Sequence, residues 1–105
     1  EFRRVLFRSG VRLYILGEHA MSLATRPNPT KNSMEIEYSL REPLTVTLEL
    51  LNTTGQVVRT FINKKHHTEG RYSITNDMSA ISNGIYILRL VTDIETLTTR
   101  VNVEK

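Results

Sequence analysis

The stretch that decides the fold is SMEIEYSLREPLTVTLELL, residues 33–51. In 33–40 and again in 44–51, apolar side chains alternate with polar or charged ones. A period of two is typical of a β-strand with one face buried and the other in water, whereas a helix would repeat about every 3.6 residues. Arg-Glu-Pro at 41–43 separates the two runs, and Pro43 marks the join. The stretch therefore predicts two consecutive strands with one buried face each.

Similar runs of apolar residues continue along the chain, separated by turn signals. The predicted strands cover 56–62, 71–75, 84–92 and 96–103, with a possible first strand near 21–25. Asn52-Thr53-Thr54-Gly55 and 93–95 predict tight turns, 63–69 (NKKHHTE) a polar loop, and 76–84 an irregular connection that ends at Gly84. No segment predicts a convincing helix. About seven short strands with turns at such spacing predict an all-β, immunoglobulin-like antiparallel β-sandwich.

Composition bounds the function classes. At 105 residues the chain has room for one domain, and its formal net charge is +3. Two of these three charges lie in residues 1–9, so residues 10–105 are almost neutral and do not predict a nucleic-acid partner. With no cysteine, neither a disulfide nor a thiolate metal site is expected. No apolar run approaches the roughly 20 residues of a membrane span, so membrane insertion is not expected.

Residues 1–9, EFRRVLFRS, have an unusual explanation. They resemble, without a mismatch, the translation of the end of a widely used sequencing-library adaptor. We interpret them as adaptor-derived and exclude them from fold reasoning; the alternative is a basic arm. The domain prediction is then an adaptor-derived segment at 1–9, a linker or the tail of a truncated upstream region at 10–20, and the folded domain at 21–105.

The polar residues do not form a recognisable catalytic or metal-binding pattern. His66 and His67 are neighbours in the predicted loop, where they would point in opposite directions and be solvated. Carboxylates at 69, 77, 93 and 95 lack the spacing of a calcium loop, although a structural calcium stays open. Asn52-Thr53-Thr54 fits a glycosylation sequon, a short match that is common by chance. The sequence has no nucleophile motif and no phosphate loop, so no enzyme activity and no cofactor are expected.

A set of short motifs recurs in a familiar order. RPNPT at 26–30 comes first, then TTGQVVRTF at 53–61, Gly70, ISNGIYILRLVT at 81–92 and RVNVEK at 100–105. Together they resemble the type A C-terminal sorting domain of proteins exported by the type IX secretion system of Gram-negative bacteria. The resemblance covers residues 21–105. It implies an immunoglobulin-like sandwich that serves as an address for an attached passenger.

The resemblance also implies site residues. They are an entry motif (Pro27, Asn28, Pro29), a mid-domain turn and strand (Gly55, Val57, Val58), a G-x-Y motif (Gly84, Tyr86) and a basic-apolar terminal segment at 100–105. Arg100 stands where a lysine is commoner. The residues most exposed to a receptor are expected to be Arg100, Asn102, Glu104 and Lys105. The alternative for each motif residue is a purely structural role, in which it only supports the fold.

The implied partners are the outer-membrane secretion machinery, a surface sortase and a covalently attached upstream passenger. The passenger would pass through the periplasm to the cell surface or the medium, with a processing site within about 10–25. Two other hypotheses remain. One is an immunoglobulin-like or fibronectin-like accessory or carbohydrate-binding module of an extracellular enzyme, which the lack of Trp disfavours. The other is the immunoglobulin-like domain of flagellar hook-capping proteins, whose usual Trp-Asp-Gly segment is missing.

Overall fold

The computed structural model describes the backbone of residues 4–7 and 11–14 and all atoms of residues 21–105. Within these ranges the chain forms nine strands and no helix. The strands are β1 (Arg4–Phe7), β2 (Val11–Tyr14), β3 (Met21–Arg26), β4 (Ser33–Leu40), β5 (Leu44–Leu51), β6 (Val57–His67), β7 (Gly70–Asp77), β8 (Gly84–Thr92) and β9 (Thr96–Val103).

Seven of these strands, β3 to β9, form the two sheets of a sandwich. One sheet has three strands in the order β3-β4-β7, and the other has four in the order β6-β5-β8-β9. Every neighbouring pair of strands is antiparallel. The predicted all-β sandwich of about seven strands is confirmed, including the possible first strand, which is β3.

The backbone of residues 4–14 was not predicted to form strands. Here β1 pairs with β2 in a two-stranded antiparallel sheet, with Arg4 opposite Tyr14 and Phe7 opposite Val11. Residues 1–3, 8–10 and 15–20 lie outside the described residues, and with them parts of the predicted adaptor segment and linker. The adaptor origin and the domain boundaries stay predictions.

The core lies between the two sheets and is built by alternation. In β4 and β5 every second side chain is buried, and the polar residues between them face outward. Each fully buried aliphatic side chain contributes about 1.5–3 kcal/mol relative to leaving it in water. On β4, β5, β8 and β9, the side chains with no more than 1% exposure are Met34, Ile36, Tyr38, Leu44, Val46, Leu48, Leu50, Leu88, Leu90, Val101 and Val103.

The predicted polar loop at 63–69 is wrong over most of its length. Strand β6 continues to His67 and pairs with β5 up to Leu44. Its register shifts at several points along β5, and Lys64 has a φ of 51°, so the strand is bulged. An edge strand with bulges and lysines can remain polar, because only one of its sides is paired. This is why the composition of 63–67 suggested a loop.

His67 is not the solvated side chain that the sequence suggested. Its Nε2 lies 2.9 Å from the hydroxyl of Tyr38, and its ring packs on Tyr72 with centroids 4.6 Å apart. Tyr38 and Tyr72 are themselves stacked. Because Tyr38 is buried, and Tyr72 lies beside it, the pKa of Tyr38 is raised to about 12. His67 therefore joins the four-stranded sheet to the three-stranded one.

The burial pattern of β8 gives a direct test of the core assignment. Leu88 is buried and Ile85, on the opposite face, is 44% exposed. Leu88→Ala should lower the free energy of unfolding by about 2–5 kcal/mol, because it leaves a cavity. Ile85→Ala, the matched control on the same strand, should cost about 1 kcal/mol or less. Urea denaturation of the full chain measures both, and equal losses would contradict the two-faced strand.

Candidate functional site

The predicted entry motif connects β3 to β4. Pro27, Asn28 and Pro29 are exposed, whereas Thr30 is completely buried. Both X-Pro peptide bonds, Arg26–Pro27 and Asn28–Pro29, are cis. Since proline has no N–H to donate to a ladder, the pairing of β3 with β4 stops at Arg26. The motif thus ends one strand and turns the chain towards the other sheet.

The side chain of Asn28 binds the backbone of β9. Its Nδ2 donates to the carbonyl oxygen of Arg100 at 3.1 Å, and its Oδ1 accepts from the N–H of Asn102, also at 3.1 Å. An asparagine amide carries both a donor and an acceptor, as a peptide group does. Asn28 therefore occupies the place of a neighbouring strand along this part of the edge of β9.

Thr30 extends the same contact with its backbone. Its N–H donates to the carbonyl of Asn102 at 2.7 Å, and its carbonyl accepts from the N–H of Glu104 at 2.8 Å. The result is an isolated parallel bridge between Thr30 and Val103. The hydroxyl of Thr30 donates to the carbonyl of Pro27 at 2.9 Å, which holds the turn itself. We call the contact of residues 28–30 with residues 100–104 the clamp.

The clamp brings together two groups of residues that the sequence resemblance named separately. Asn28 binds the segment that contains Arg100 and Asn102, and the bridge extends to Glu104. Thr30 received no role from sequence reasoning, although it closes the RPNPT motif. The structure gives it a role in the clamp. Thr30 is completely buried, and a threonine with no exposed surface must find partners for its polar groups.

The G-x-Y motif lies beside the clamp and has a structural function. Gly84 begins β8 opposite Val103 with a φ of +156°, a conformation that L side chains rarely adopt. The ring of Tyr86 lies over Gly84, and its hydroxyl donates to the carbonyl of Ser82 at 2.8 Å. Tyr86 is 9% exposed and belongs to the core. It thereby ties the connection before β8 to the strand itself.

The C-terminal residue docks on that same connection. The N–H of Lys105 donates to Oδ1 of Asn83 at 3.1 Å, and its Nζ donates to the carbonyl of Ser79 at 2.7 Å. Ser79 is held in turn by the carboxylate of Asp77, which accepts its N–H at 2.9 Å. These bonds from Ser79 lower the pKa of Asp77 below its ordinary value. Lys105 is therefore an anchored residue.

The side chains of β9 follow the alternation of the strand. Val101 and Val103 point into the core, Arg100 is exposed and Asn102 is half-buried. Oδ1 of Asn102 is shielded from water and has no hydrogen-bond partner within residues 21–105. A shallow groove runs past it, lined by Asn83, Gly84, Ile85, Arg100, Asn102 and Glu104.

The mid-domain turn does not join this cluster. Gly55 has a φ of +92° in the turn between β5 and β6, where the carboxamide oxygen of Asn52 accepts three hydrogen bonds from Thr54 and Gln56. Strands β6 and β9 are opposite edges of the four-stranded sheet. The turn is thus at the same end of the sheet as Gly84 but on the far edge. Its glycine serves the hairpin.

Sequence reasoning did not indicate that several apolar side chains lie together on the outer face of the four-stranded sheet. Val57 and Ile85 are 48% and 44% exposed, and Leu51 and Ile87 lie between them on the same face. The outward position of Ile85 and Ile87 was hidden because the run GIYILRLVT is apolar on both faces of its strand. Beside them, Arg89 forms an ion pair with Glu49.

Two further features were looked for among the described residues. Within residues 21–105, no group of three or more His, Asp or Glu side chains is placed to hold a metal ion. No helix in the part of the chain that the structure describes is long and apolar enough to cross a membrane.

Comparison with known proteins decides the family. The family described as "Secretion system C-terminal sorting domain" matches residues 26–104, from the start of the entry motif to the end of the clamp. The chain belongs to this family. The resemblance to type IX secretion sorting domains is thereby confirmed, and such a domain directs export towards the cell surface or the extracellular space. A search of curated proteins found no match to the sequence.

The fold resembles that of a solved structure. It is the crystal structure of dimeric latent PorU from Porphyromonas gingivalis, with a TM-score of 0.64 and 20% sequence identity. The match covers 89% of this chain and 10% of that chain, so this chain corresponds to about a tenth of the length of the solved protein. At this identity the likeness concerns the fold alone, and it agrees with the sandwich described above.

The clamp makes a specific prediction for Asn28. Asn28→Asp keeps the acceptor for the N–H of Asn102 but replaces the donor to Arg100 with a charged oxygen that faces a carbonyl. The variant should lower the free energy of unfolding at pH 7 by about 1–2 kcal/mol. Asn32→Asp is the matched control, since it makes the same charge change at an exposed position of the same connection. Urea denaturation measures both, and equal stabilities would contradict the clamp.

Proposed function

We propose that residues 21–105 are a non-catalytic address that the outer-membrane secretion machinery reads in folded form. A passenger attached before Met21 would travel with it from the periplasm across the outer membrane. Membership of the sorting-domain family supports the address role. Family membership does not say whether the signal is read folded or unfolded. The geometry of the clamp supports recognition of the folded domain.

The observation that carries this proposal is that the clamp joins distant motif residues into one surface. Asn28 and Arg100 are 72 positions apart in the chain and directly hydrogen-bonded. The exposed rings of Pro27 and Pro29 and the exposed side chains of Arg100 and Glu104 consequently lie at one end of the sandwich. A receptor that contacts this end reads both motifs at once, which a short linear peptide would not present.

The proposal also places the site at which a surface sortase removes the domain. Met21 is buried and β3 is paired with β4 from Met21 to Arg26. A protease needs an extended backbone that is free to enter its active site, so a paired strand is a poor substrate. We therefore expect cleavage before Met21, after which the passenger is released or anchored to surface lipopolysaccharide.

The alternative of a carbohydrate-binding module finds little support. Sugar-binding surfaces use exposed aromatic rings, but Tyr38 and Tyr86 are buried. The large apolar side chains exposed within residues 21–105 are Val57, Val58 and Ile85. These observations favour the sorting function over carbohydrate binding.

A reporter fusion tests the proposed function. The full chain is joined to the end of a periplasmic reporter and produced in a host with a type IX secretion system. The reporter should become accessible to antibody on intact cells, and should remain inside in an isogenic host that lacks the secretion pore. A folded, stable fusion that stays in the periplasm of the competent host would refute the address role. Mass spectrometry of the released fragment should place its first residue at or before Met21.

A further inference from the structure

A group of apolar side chains lies on the outer face of the four-stranded sheet, next to the clamp. Leu51 of β5 lies opposite Val57 of β6 on one side and Ile87 of β8 on the other. Ile85 shares their face, because it lies two residues before Ile87 on β8. Arg100 of β9 follows Ile87 across the sheet, so the group reaches the clamp. We call Leu51, Val57, Ile85 and Ile87 the apolar patch.

The apolar patch has a buried floor and an exposed margin. Leu51 is only 6% exposed, although it faces outward and does not belong to the core cluster. Val57 and Ile85 protrude on either side of it. The large apolar side chains that are exposed within residues 21–105 all lie in the patch or directly beside it, namely Val57, Val58 and Ile85. Single exposed apolar residues are ordinary, whereas a contiguous group is typical of a binding surface.

The neighbouring row on the same sheet face is polar. There, Glu49 of β5 lies opposite Thr60 of β6 and Arg89 of β8, and Arg89 lies opposite Thr98 of β9. Glu49 and Arg89 form an ion pair, so their charges compensate each other. The apolar patch therefore has a defined limit towards the middle of the sheet.

Arg100 adds an uncompensated charge at the margin of the apolar patch. It is exposed, and it forms no ion pair within residues 21–105. Potentials across a protein interface are usually complementary, so a partner of this surface would carry a negative charge opposite the guanidinium. The chemistry of the surface thus specifies apolar side chains in the middle of the contact and a carboxylate at one end.

We propose that a folded protein component of the secretion machinery docks on the apolar patch and places a carboxylate against Arg100. The proposal rests on the proposed function, and it names the surface by which the address is recognised. In β3, Met21 pairs with Leu40, whereas Arg26 at the other end leads into the clamp. A passenger attached before Met21 thus enters the sandwich at the end opposite the clamp and leaves the apolar patch accessible.

A second copy of the chain fits this surface less well. A closed two-fold contact would place the patch of one copy against the patch of the other. The patch holds no carboxylate, and Glu49 on the neighbouring row is already paired with Arg89. Arg100 of each copy would therefore be left without an anion. A lipid surface also fits less well, because it is usually bound by several cations with aromatic side chains, and this surface offers one cation and no aromatic ring.

The first test asks whether the apolar patch is open in the isolated full chain. The chain has no cysteine, so Ile85→Cys supplies a single thiol, and Thr98→Cys is the matched control on the same sheet face. Their rates of reaction with a soluble disulfide reagent under native conditions should agree within about tenfold. A slower reaction of Ile85→Cys would mean that another part of the chain or a second copy already covers the patch, and would overturn the proposal.

The second test uses the reporter fusion with two lysines in the apolar patch. Val57→Lys with Ile85→Lys should lower the surface reporter by about tenfold or more, corresponding to about 1.4 kcal/mol, because the partner's apolar side chains cannot solvate two ammonium groups. Thr60→Lys with Thr98→Lys is the matched control on the neighbouring row, and it should be delivered like the parent. Thermal melting checks that each variant is folded. If the patch variant unfolds, Val57→Thr with Ile85→Thr replaces it, with a loss in the same direction.

The outcomes separate the two proposals. Loss of the patch variant with delivery of the control variant supports docking on the apolar patch. Delivery of the folded patch variant at the parental level overturns docking there while the address role stands. Equal loss of both variants also overturns it, since added charge anywhere on the face would then be the cause. If the parent fusion itself is not delivered, the proposed function fails and docking fails with it.

Discussion

The hydrogen bonds between the amide of Asn28 and the backbone of β9 connect the beginning and the end of the folded domain. Asn28 lies 72 positions before Arg100 and 74 before Asn102, and one side chain binds the backbone of both. Thr30 continues the contact with its own peptide groups. The final strand thereby gains partners on its outer side, and the exposed parts of the two motifs share one surface. The proposed reading of the domain depends on this contact.

The sandwich makes the clamp possible because it fixes both partners independently. On one side, β3 is paired with β4, so the chain reaches Pro27 at a defined place. On the other, β9 is paired with β8 and buries Val101 and Val103. Tyr86 and Lys105 add hydrogen bonds that hold the connection before β8 in place. The motif residues therefore divide into those that build this end of the sandwich and those that remain exposed on it.

Much of the fold could be predicted because its determinants are local. Alternation in 33–51 defines two strands from neighbouring residues alone, and Gly55 marks its hairpin. The extension of β6 to His67 could not be predicted, since its bulges arise from pairing with β5 and its composition is that of a loop. Likewise, the contact of His67 with Tyr38 joins different sheets and leaves no periodic signal.

The candidate site was predicted only as a set of separate motifs. The resemblance named Asn28, Arg100 and Asn102, but no pattern in the sequence indicates that they touch, because contacts at such separation follow from strand order. Thr30 was missed for the same reason. Gly55 was grouped with them by the resemblance, while the strand order places it on the opposite edge. The structure thus converts a list of motif positions into a clamp, a supporting tyrosine and a separate hairpin.

The central claim is that the secretion machinery recognises the surface that the clamp assembles. A stably folded domain is not sufficient for delivery when this surface is disturbed. The most direct test compares surface delivery of reporter fusions that carry Asn28→Asp or the core variant Leu90→Val, chosen to have equal measured free energies of unfolding. We predict that the clamp variant is retained in the periplasm while the core variant is delivered. Equal delivery of the two would contradict the claim and would leave domain stability as the only property that is read.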